Sequence, residues 1–199
     1  MIRRPPRSTP SNSSAASDVY KRQPENTEET LKLVKEWSDM LDIKTILVAT
    51  TSGETGVKAV ELLENHNVIV VTHSTGFREE NEQELTSKNK NSIEALGGKI
   101  LTCQHAFAGI SRAVRFKFNT YEIDEIIANT LRLLGQGLKV AVEIVLMAAD
   151  AGFIRTDSDV IAIGGTNAGA DTAAVIKPAN VSRFFDLKVK GILCKPWNF

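Results

Sequence analysis

The feature that most constrains the fold is a regular alternation of short apolar runs with longer amphipathic segments. The runs Thr45 to Thr50, Val68 to Val71 and Lys99 to Thr102 are rich in apolar and β-branched residues, as buried parallel strands are. Between them, Thr55 to Glu64 and about Glu82 to Leu96 have helical spacing. This order is typical of βαβ units, so the sequence predicts an α/β fold built on a mostly parallel sheet.

Further helices and a late hairpin complete the prediction. An apolar stripe that includes Leu31, Val34 and Trp37 predicts a helix that begins near Asn26 and ends at about Leu41. Two later helices are predicted at about Tyr121 to Leu134 and Leu138 to Ala151, the second apolar nearly all round and therefore buried.

The runs Asp159 to Gly164 and Thr172 to Lys177 are close enough in sequence to pair as an antiparallel hairpin at the sheet edge. The expected architecture is a single three-layer α/β domain. The state of Phe184 to Phe199 stays open at this point.

The first 23 residues, MIRRPPRSTPSNSSAASDVYKRQ, read unlike the rest of the chain. They have no apolar periodicity, and they carry five basic residues against one acid. Their composition suggests a transit peptide, but they resemble more closely a translated sequencing adapter, so we expect a disordered, non-native leader. The native domain is then expected to span residues 24–199.

Composition narrows the functional classes. Without the leader, the 24 basic and 24 acidic residues become 19 and 23, a net charge of about −4, which argues against a nucleic-acid partner. Cys103 and Cys194 lie far apart and form no metal-binding motif with the three histidines, so we expect no metal and a reducing cytoplasm. The longest apolar stretch, Leu138 to Ala149, is shorter than the roughly 20 residues that span a bilayer, so no membrane partner is expected.

The strand-to-helix loop TTSGETG, residues 50–56, is the first candidate site. Such a junction lies at the carboxyl edge of a parallel sheet, where the next helix directs free amides at a ligand. Its hydroxyls would donate to a phosphate, and its glycines would allow close backbone approach. The alternative is an ordinary capped helix start. The candidate residues are Thr50, Thr51, Ser52, Gly53, Glu54, Thr55 and Gly56.

The loop after the next strand should open on the same edge. Its candidate ligand contacts are Thr72, His73, Thr75 and Gly76. His73 is also a candidate general acid or base, because an unperturbed imidazole titrates near neutrality. The alternative is a polar loop histidine that only satisfies backbone groups.

Two more glycine-bearing loops are candidates. The late hairpin loop holds more glycine than a two-strand turn requires, which indicates that a ligand approaches its backbone. Its candidates are Gly164, Gly165, Thr166, Asn167 and Gly169. The helix start at Gly137 and Lys139 is a weaker candidate, since a tight helix-helix turn with a Lys139 to Glu143 ion pair explains it as well.

Together, TTSGETG after a strand and VIAIGGTNAGADTAAVIKP as a late hairpin resemble the C-terminal α/β domain of pyruvate kinase. The segments THSTGF and GQGLKVAVEIVLMAADAG extend the likeness to the small stand-alone proteins named after that domain. In pyruvate kinase, the first loop holds a phosphate of a sugar bisphosphate effector and the glycine-rich hairpin closes over it. The resemblance therefore implies a phosphorylated small ligand, and the stand-alone relatives imply flavin mononucleotide (FMN).

The resemblance has limits that shape the functional hypotheses. The 176 residues after the leader cannot hold the catalytic barrel of pyruvate kinase, so that activity is not expected. Glu54 stands where the effector loop commonly carries a basic residue, which indicates a different ligand. The leader also stands where the family has an opening strand, so the sheet is expected to lack an edge.

Three hypotheses follow. The first is a module that binds a phosphorylated small ligand. The second is a small enzyme that uses His73 with Glu54 or Glu143 as acid and base. The third is self-association through the apolar helix Leu138 to Ala151, a possible homo-oligomer, although core packing explains that helix equally well.

Overall fold

The computed structural model describes residues 26–166 and 168–198, so the leader and Asn167 lie outside the described residues. The helices are α1 (Thr27–Leu41), α2 (Glu54–Leu62), α3 (Ser87–Ala95), α4 (Ile110–Phe118), α5 (Ile123–Arg132) and α6 (Gln136–Asp150), with a 3₁₀ helix at Val181–Asp186. The strands are β1 (Thr45–Ala49), β2 (Asn67–Val71), β3 (Lys99–Leu101), β4 (Val160–Gly164), β5 (Thr172–Lys177) and β6 (Lys188–Cys194).

The described strands form one six-stranded sheet in the order β3-β2-β1-β4-β5-β6. Strands β1 to β4 are parallel, whereas β5 and β6 are antiparallel to their neighbours. The predicted α/β fold with an antiparallel hairpin edge is confirmed. The strand order reverses between β1 and β4, and ligands bind open α/β sheets at such a switch point, beyond the carboxyl ends of the strands.

Alternate residues of each strand pack into two cores, one on each face of the sheet. Ile46 and Val48 of β1 pack with residues of α1 and α2, whereas Leu47 packs with residues of α6. Helix α6 lies against β1, β4 and β5 and is covered by α5. Because nearly all of α6 is buried within its own chain, it has no free face for the self-association that its composition suggested.

Three elements differ from the sequence-based expectation. Helix α3 begins at Ser87 and not near Glu82, because the Thr86 hydroxyl caps it by accepting a hydrogen bond from the Asn89 amide at 3.2 Å. Helix α4 escaped prediction because none of its residues is buried, so no core-facing stripe marks it. The segment whose state was open contains the edge strand β6, which pairs with β5.

No helix within residues 26–166 and 168–198 is both long enough and apolar enough to cross a bilayer.

Candidate functional site

A cavity of about 590 Å³ opens at the carboxyl edge of β1 to β4. Its walls come from the loops that follow these strands and from α4, α5 and α6. The volume falls within the range of small-molecule sites. Twelve of the predicted site residues line it, namely Thr50, Thr51, Ser52, Glu54, Thr55, Thr72, His73, Lys139, Glu143, Gly165, Thr166 and Gly169.

The loop between β1 and α2 presents unused donors to this cavity. The Gly53 amide donates to the Thr50 hydroxyl at 3.1 Å, which folds the loop back on itself. Within residues 26–166 and 168–198, no protein group accepts a hydrogen bond from the amides of Thr51, Ser52, Glu54 and Thr55. These amides lie at the positive end of the helix dipole, so they favour an anion.

The α2 side of this loop is held by α3. The Ser52 carbonyl accepts hydrogen bonds from the Asn89 side-chain amide at 2.9 Å and from the Thr86 backbone amide at 3.2 Å. Gly53 adopts a φ of +100°, and a Cβ built there would lie 2.5 Å from the Cβ of Asn89. A Cβ at Gly56 would meet Val70 at 2.7 Å. Both glycines therefore serve the packing of the loop and of α2, and neither lines the cavity as the sequence analysis expected.

The second loop brings His73 to the cavity wall together with a carboxylate that the sequence analysis missed. His73 Nδ1 lies 2.5 Å from Glu84 Oε2, and the Arg78 Nε lies 3.0 Å from Glu84 Oε1. Neither Glu54 nor Glu143, the predicted acid-base partners, contacts His73 in this way. Thr75 and Gly76 lie in the turn that follows and do not line the cavity.

An aromatic stack forms one side of the cavity. The Phe77 ring lies against His73 at 4.2 Å and against His105 at 4.8 Å between ring centroids, with interplanar angles below 30° in both cases. The guanidinium of Arg112 lies over the Phe77 ring at 4.4 Å. Sequence alone could not bring these groups together, because they come from three separate segments.

The ion pair between Lys139 and Glu143, which the sequence analysis offered as the structural explanation of this helix start, is present and lies in the cavity wall. Lys139 Nζ contacts Glu143 Oε2, and both side chains are buried. The other oxygen, Oε1, accepts a hydrogen bond from the Phe107 amide at 3.1 Å and lies 3.6 Å from His105 Nδ1. Burial alone would raise the pKa of Glu143, but the hydrogen bond from His105 and the charge of Lys139 outweigh it and lower the pKa to about 2.

The late hairpin contributes Gly165, Thr166 and Gly169 to the cavity, while two other predicted glycines have a packing role. A Cβ at Gly164 would lie 2.3 Å from the carbonyl oxygen of Gly137, and a Cβ at Gly137 would lie 2.2 Å from the Thr172 hydroxyl. The absence of side chains at both positions lets α6 approach β4 and β5 closely.

Sequence analysis missed four arginines that line the cavity, Arg78, Arg112, Arg115 and Arg132. Arg115 pairs with the buried Glu125 at 3.1 Å, and Arg78 pairs with Glu84. Arg112 instead stacks on aromatic rings, and Arg132 donates to the neutral side-chain oxygens of Asn129 and Gln136 at 2.7 Å each.

Within the described part of the chain, Arg112 and Arg132 form no ion pair, so the cavity holds two cations whose charge is not balanced by a bonded carboxylate. The spacing of Arg112 and Arg115 in the sequence RAVR of α4 was the signal that could have identified the α4 arginines. It places two arginines on one helix face.

The described residues contain no group of three or more histidine, cysteine or acidic side chains that could hold a metal ion. The cavity wall offers amides, hydroxyls, arginines and aromatic rings.

The chain is similar to a known protein family and to a solved structure. The model of the pyruvate kinase alpha/beta domain family matches residues 28–176. Among solved structures, a pyruvate kinase from Cryptosporidium parvum matches with 12% sequence identity and a TM-score of 0.41. That match covers 83% of this chain and 25% of the pyruvate kinase, so the chain spans about a quarter of that protein's length. Because the family model covers most of the sequence, the chain belongs to the pyruvate kinase alpha/beta domain family.

Proposed function

We propose that the protein binds a phosphorylated small molecule in the cavity at the carboxyl edge of its sheet. The observation that carries the proposal is that Arg112 and Arg132, which form no ion pair within the described residues, line the same cavity as the start of α2, where backbone amides are unused. Arginine binds phosphate through paired, charge-assisted hydrogen bonds, and helix-start amides add a complementary field. Both features favour a compact anion.

The rest of the cavity supports a ligand with a flat ring. Phe77 and His105 line the cavity, and a planar π system prefers to pack against aromatic side chains in an offset-stacked or edge-to-face arrangement. A cavity of about 590 Å³ has room for more than a phosphate group. FMN, or another nucleotide, combines the two required parts, a phosphate and a flat ring, and we propose it as the ligand class.

We place this activity in the cytoplasm. Cys103 and Cys194 are both free thiols, as a reducing compartment would maintain them. Burial raises the pKa of the Cys194 thiol, which makes that group a poor nucleophile at neutral pH.

The test is isothermal titration calorimetry of the chain with FMN, riboflavin, adenosine 5′-monophosphate and fructose 1,6-bisphosphate. We expect at least one phosphorylated compound to bind, and FMN to bind about tenfold or more tightly than riboflavin, because only FMN engages the arginines. Arg112→Ala and Arg132→Ala should each weaken that ligand about tenfold.

The matched control is Arg155→Ala, because Arg155 lies in the loop before β4, at the opposite edge of the sheet, and pairs with Asp157. That variant should bind like the parent chain. If none of the phosphorylated compounds bound, or if the Arg155 variant lost as much affinity as the two cavity variants, the proposal would be wrong.

A second candidate function is that of a small enzyme acting on a phosphorylated or flavin-linked substrate. The specific observation behind it is the contact between His73 and Glu84, which is the arrangement that orients a histidine for proton transfer. Glu84 replaces Glu54 and Glu143 as the proposed partner of His73, because Glu143 is already engaged by Lys139.

The two candidates differ in what His73→Gln does. If the chain is an enzyme, the variant should keep ligand affinity within about threefold and lose turnover by a factor on the order of 100. Substrate depletion assays on the compounds that bind, followed by chromatography, give the measurement. If compounds bind but none is converted to product, the enzyme hypothesis is wrong and only the binding function remains.

A further inference from the structure

The helices α4 and α5 and the turns beside them carry many large apolar side chains that are exposed. Eight large hydrophobic side chains within residues 110–134 are exposed, half of all the exposed large hydrophobic side chains in the described chain. They are Ile110, Phe116, Phe118, Tyr121, Ile123, Ile126, Leu133 and Leu134. Apolar patches of this size on a soluble domain mark an interaction site.

The α5 part of this surface has the spacing of a helix seam. Ile123, Ile126, Thr130 and Leu133 follow one another at intervals of three, four and three residues, which places them on one face. Ile123 is 76%, Ile126 54% and Leu133 75% exposed. The opposite face of α5 already packs on the core through residues that include Ile127, Ala128 and Leu131. Helix α5 is therefore apolar on two faces, and only one of them is covered by its own chain.

We propose that this surface binds a second copy of the chain, with α5 packed antiparallel against α5 across a two-fold axis. In this arrangement Ile126 contacts Thr130 of the second copy, and Ile123 contacts Leu133 of the second copy. A two-fold axis makes one patch serve both sides of the interface, so a single stripe is sufficient. The proposal does not depend on the identity of the ligand.

The area of the patch agrees with a dimer. Its three aromatic side chains, at 60–70% exposure, offer roughly 300–500 Å² from the 150–250 Å² that each buries in full. The five aliphatic side chains, at 47–80% exposure, add to this area and bring it toward the roughly 800 Å² per copy of a standard protein interface. A patch confined to a monomer is usually about half this size.

The charges around the patch favour a protein surface over an anionic membrane. Membrane-surface helices carry a strongly basic polar face. Here Arg112 and Arg115 line the cavity, so Lys117 is the basic side chain left on α4, and the acidic Glu122 and Asp124 follow it in the sequence at the start of α5. The stripe itself carries no charge, as a self-associating seam requires.

The interface would also complete the wall of the cavity. Helices α4 and α5 supply Arg112, Arg115, Asn129 and Arg132 to the site. Pairing α5 with a second copy would hold these helices in place and fix the positions of the arginines.

Sedimentation velocity of the full chain and its variants tests the proposal. At about 100 μM the parent chain should sediment as a species of twice the chain mass. Ile126→Glu should raise the dimer dissociation constant at least 100-fold by placing a charge in the seam. Thr130→Ile should lower that constant several-fold, because the same seam then becomes fully apolar.

Met40→Glu is the matched control, since Met40 is 58% exposed on α1 and lies outside the patch. It should leave the dimer intact, and thermal unfolding should show that all three variants fold. A monomeric parent chain would overturn the proposal, as would a dimer indifferent to Ile126→Glu or a monomer that binds anionic phosphatidylserine vesicles through this surface.

Discussion

Replacing Gly164 with alanine should destabilise the fold by about 3 kcal/mol, the upper end of the usual cost of overpacking, since the neighbour that the new methyl group meets cannot move. The added Cβ would lie 2.3 Å from the Gly137 carbonyl oxygen, which is part of the α6 backbone. A flexible side chain could turn away from the new methyl group, but a helix carbonyl cannot. Helix α6 would have to withdraw from β4 and open the core on that face.

Urea unfolding followed by circular dichroism measures this effect, and Gly191→Ala is its control. Gly191 also lies in a strand, β6, but a Cβ there meets nothing within 4 Å. That substitution should leave stability unchanged or raise it by up to about 1 kcal/mol, because alanine restricts the unfolded chain. Equal midpoints for the two variants would contradict the close packing of α6 on β4.

Replacing Lys139 with methionine should cost about 3 kcal/mol at pH 7, the usual effect of removing one partner from a buried ion pair. Methionine has a similar length, so little packing is lost, but the buried Glu143 carboxylate loses its cation. Chemical denaturation at pH 7 gives the measurement. The double variant Lys139→Met with Glu143→Gln should recover most of the loss, because glutamine is neutral and its oxygen still accepts from the Phe107 amide.

The pH dependence of this effect provides an internal check. Burial raises the pKa of Glu143, but the hydrogen bond from His105 and the charge of Lys139 outweigh burial. The pKa of Glu143 is therefore lowered from 4.5 to about 2 in the folded chain. Its ionised form therefore stabilises the fold above about pH 4.5, and that stabilisation is lost as the pH falls toward 2. The difference between the parent chain and Lys139→Met should shrink over this interval, and a constant difference would show that the ion pair contributes little.

The sheet could be predicted because its strands are short, apolar and separated by helices. This pattern of apolar residues is visible in each local stretch of sequence. The hairpin of β4 and β5 was predictable for the same reason. Helix α4 and strand β6 were not, because α4 buries no residue and β6 is an edge strand with exposed lysines. Elements at the periphery leave a weak hydrophobic signal, so sequence patterns identify the centre of a fold better than its margins.

The candidate site shows a similar division. The loops at the carboxyl edge were predictable, since strand-to-helix junctions carry their own signature. The roles of single residues were not, because they depend on neighbours distant in sequence. Gly53 supports packing against Asn89, and Phe77 stacks on His105, which comes from the loop after β3. The arginines of α4 and α5 entered the site only through the way those helices fold over the sheet.

The attachment of the β1 to α2 loop to α3 has a consequence for binding thermodynamics. The Ser52 carbonyl accepts hydrogen bonds from residues 86 and 89, and Gly53 is packed against the same helix. The loop is thus preorganised before any anion arrives, and little conformational entropy remains to be lost on association. Binding of the proposed anion by this loop should therefore carry only a small entropic cost of loop ordering.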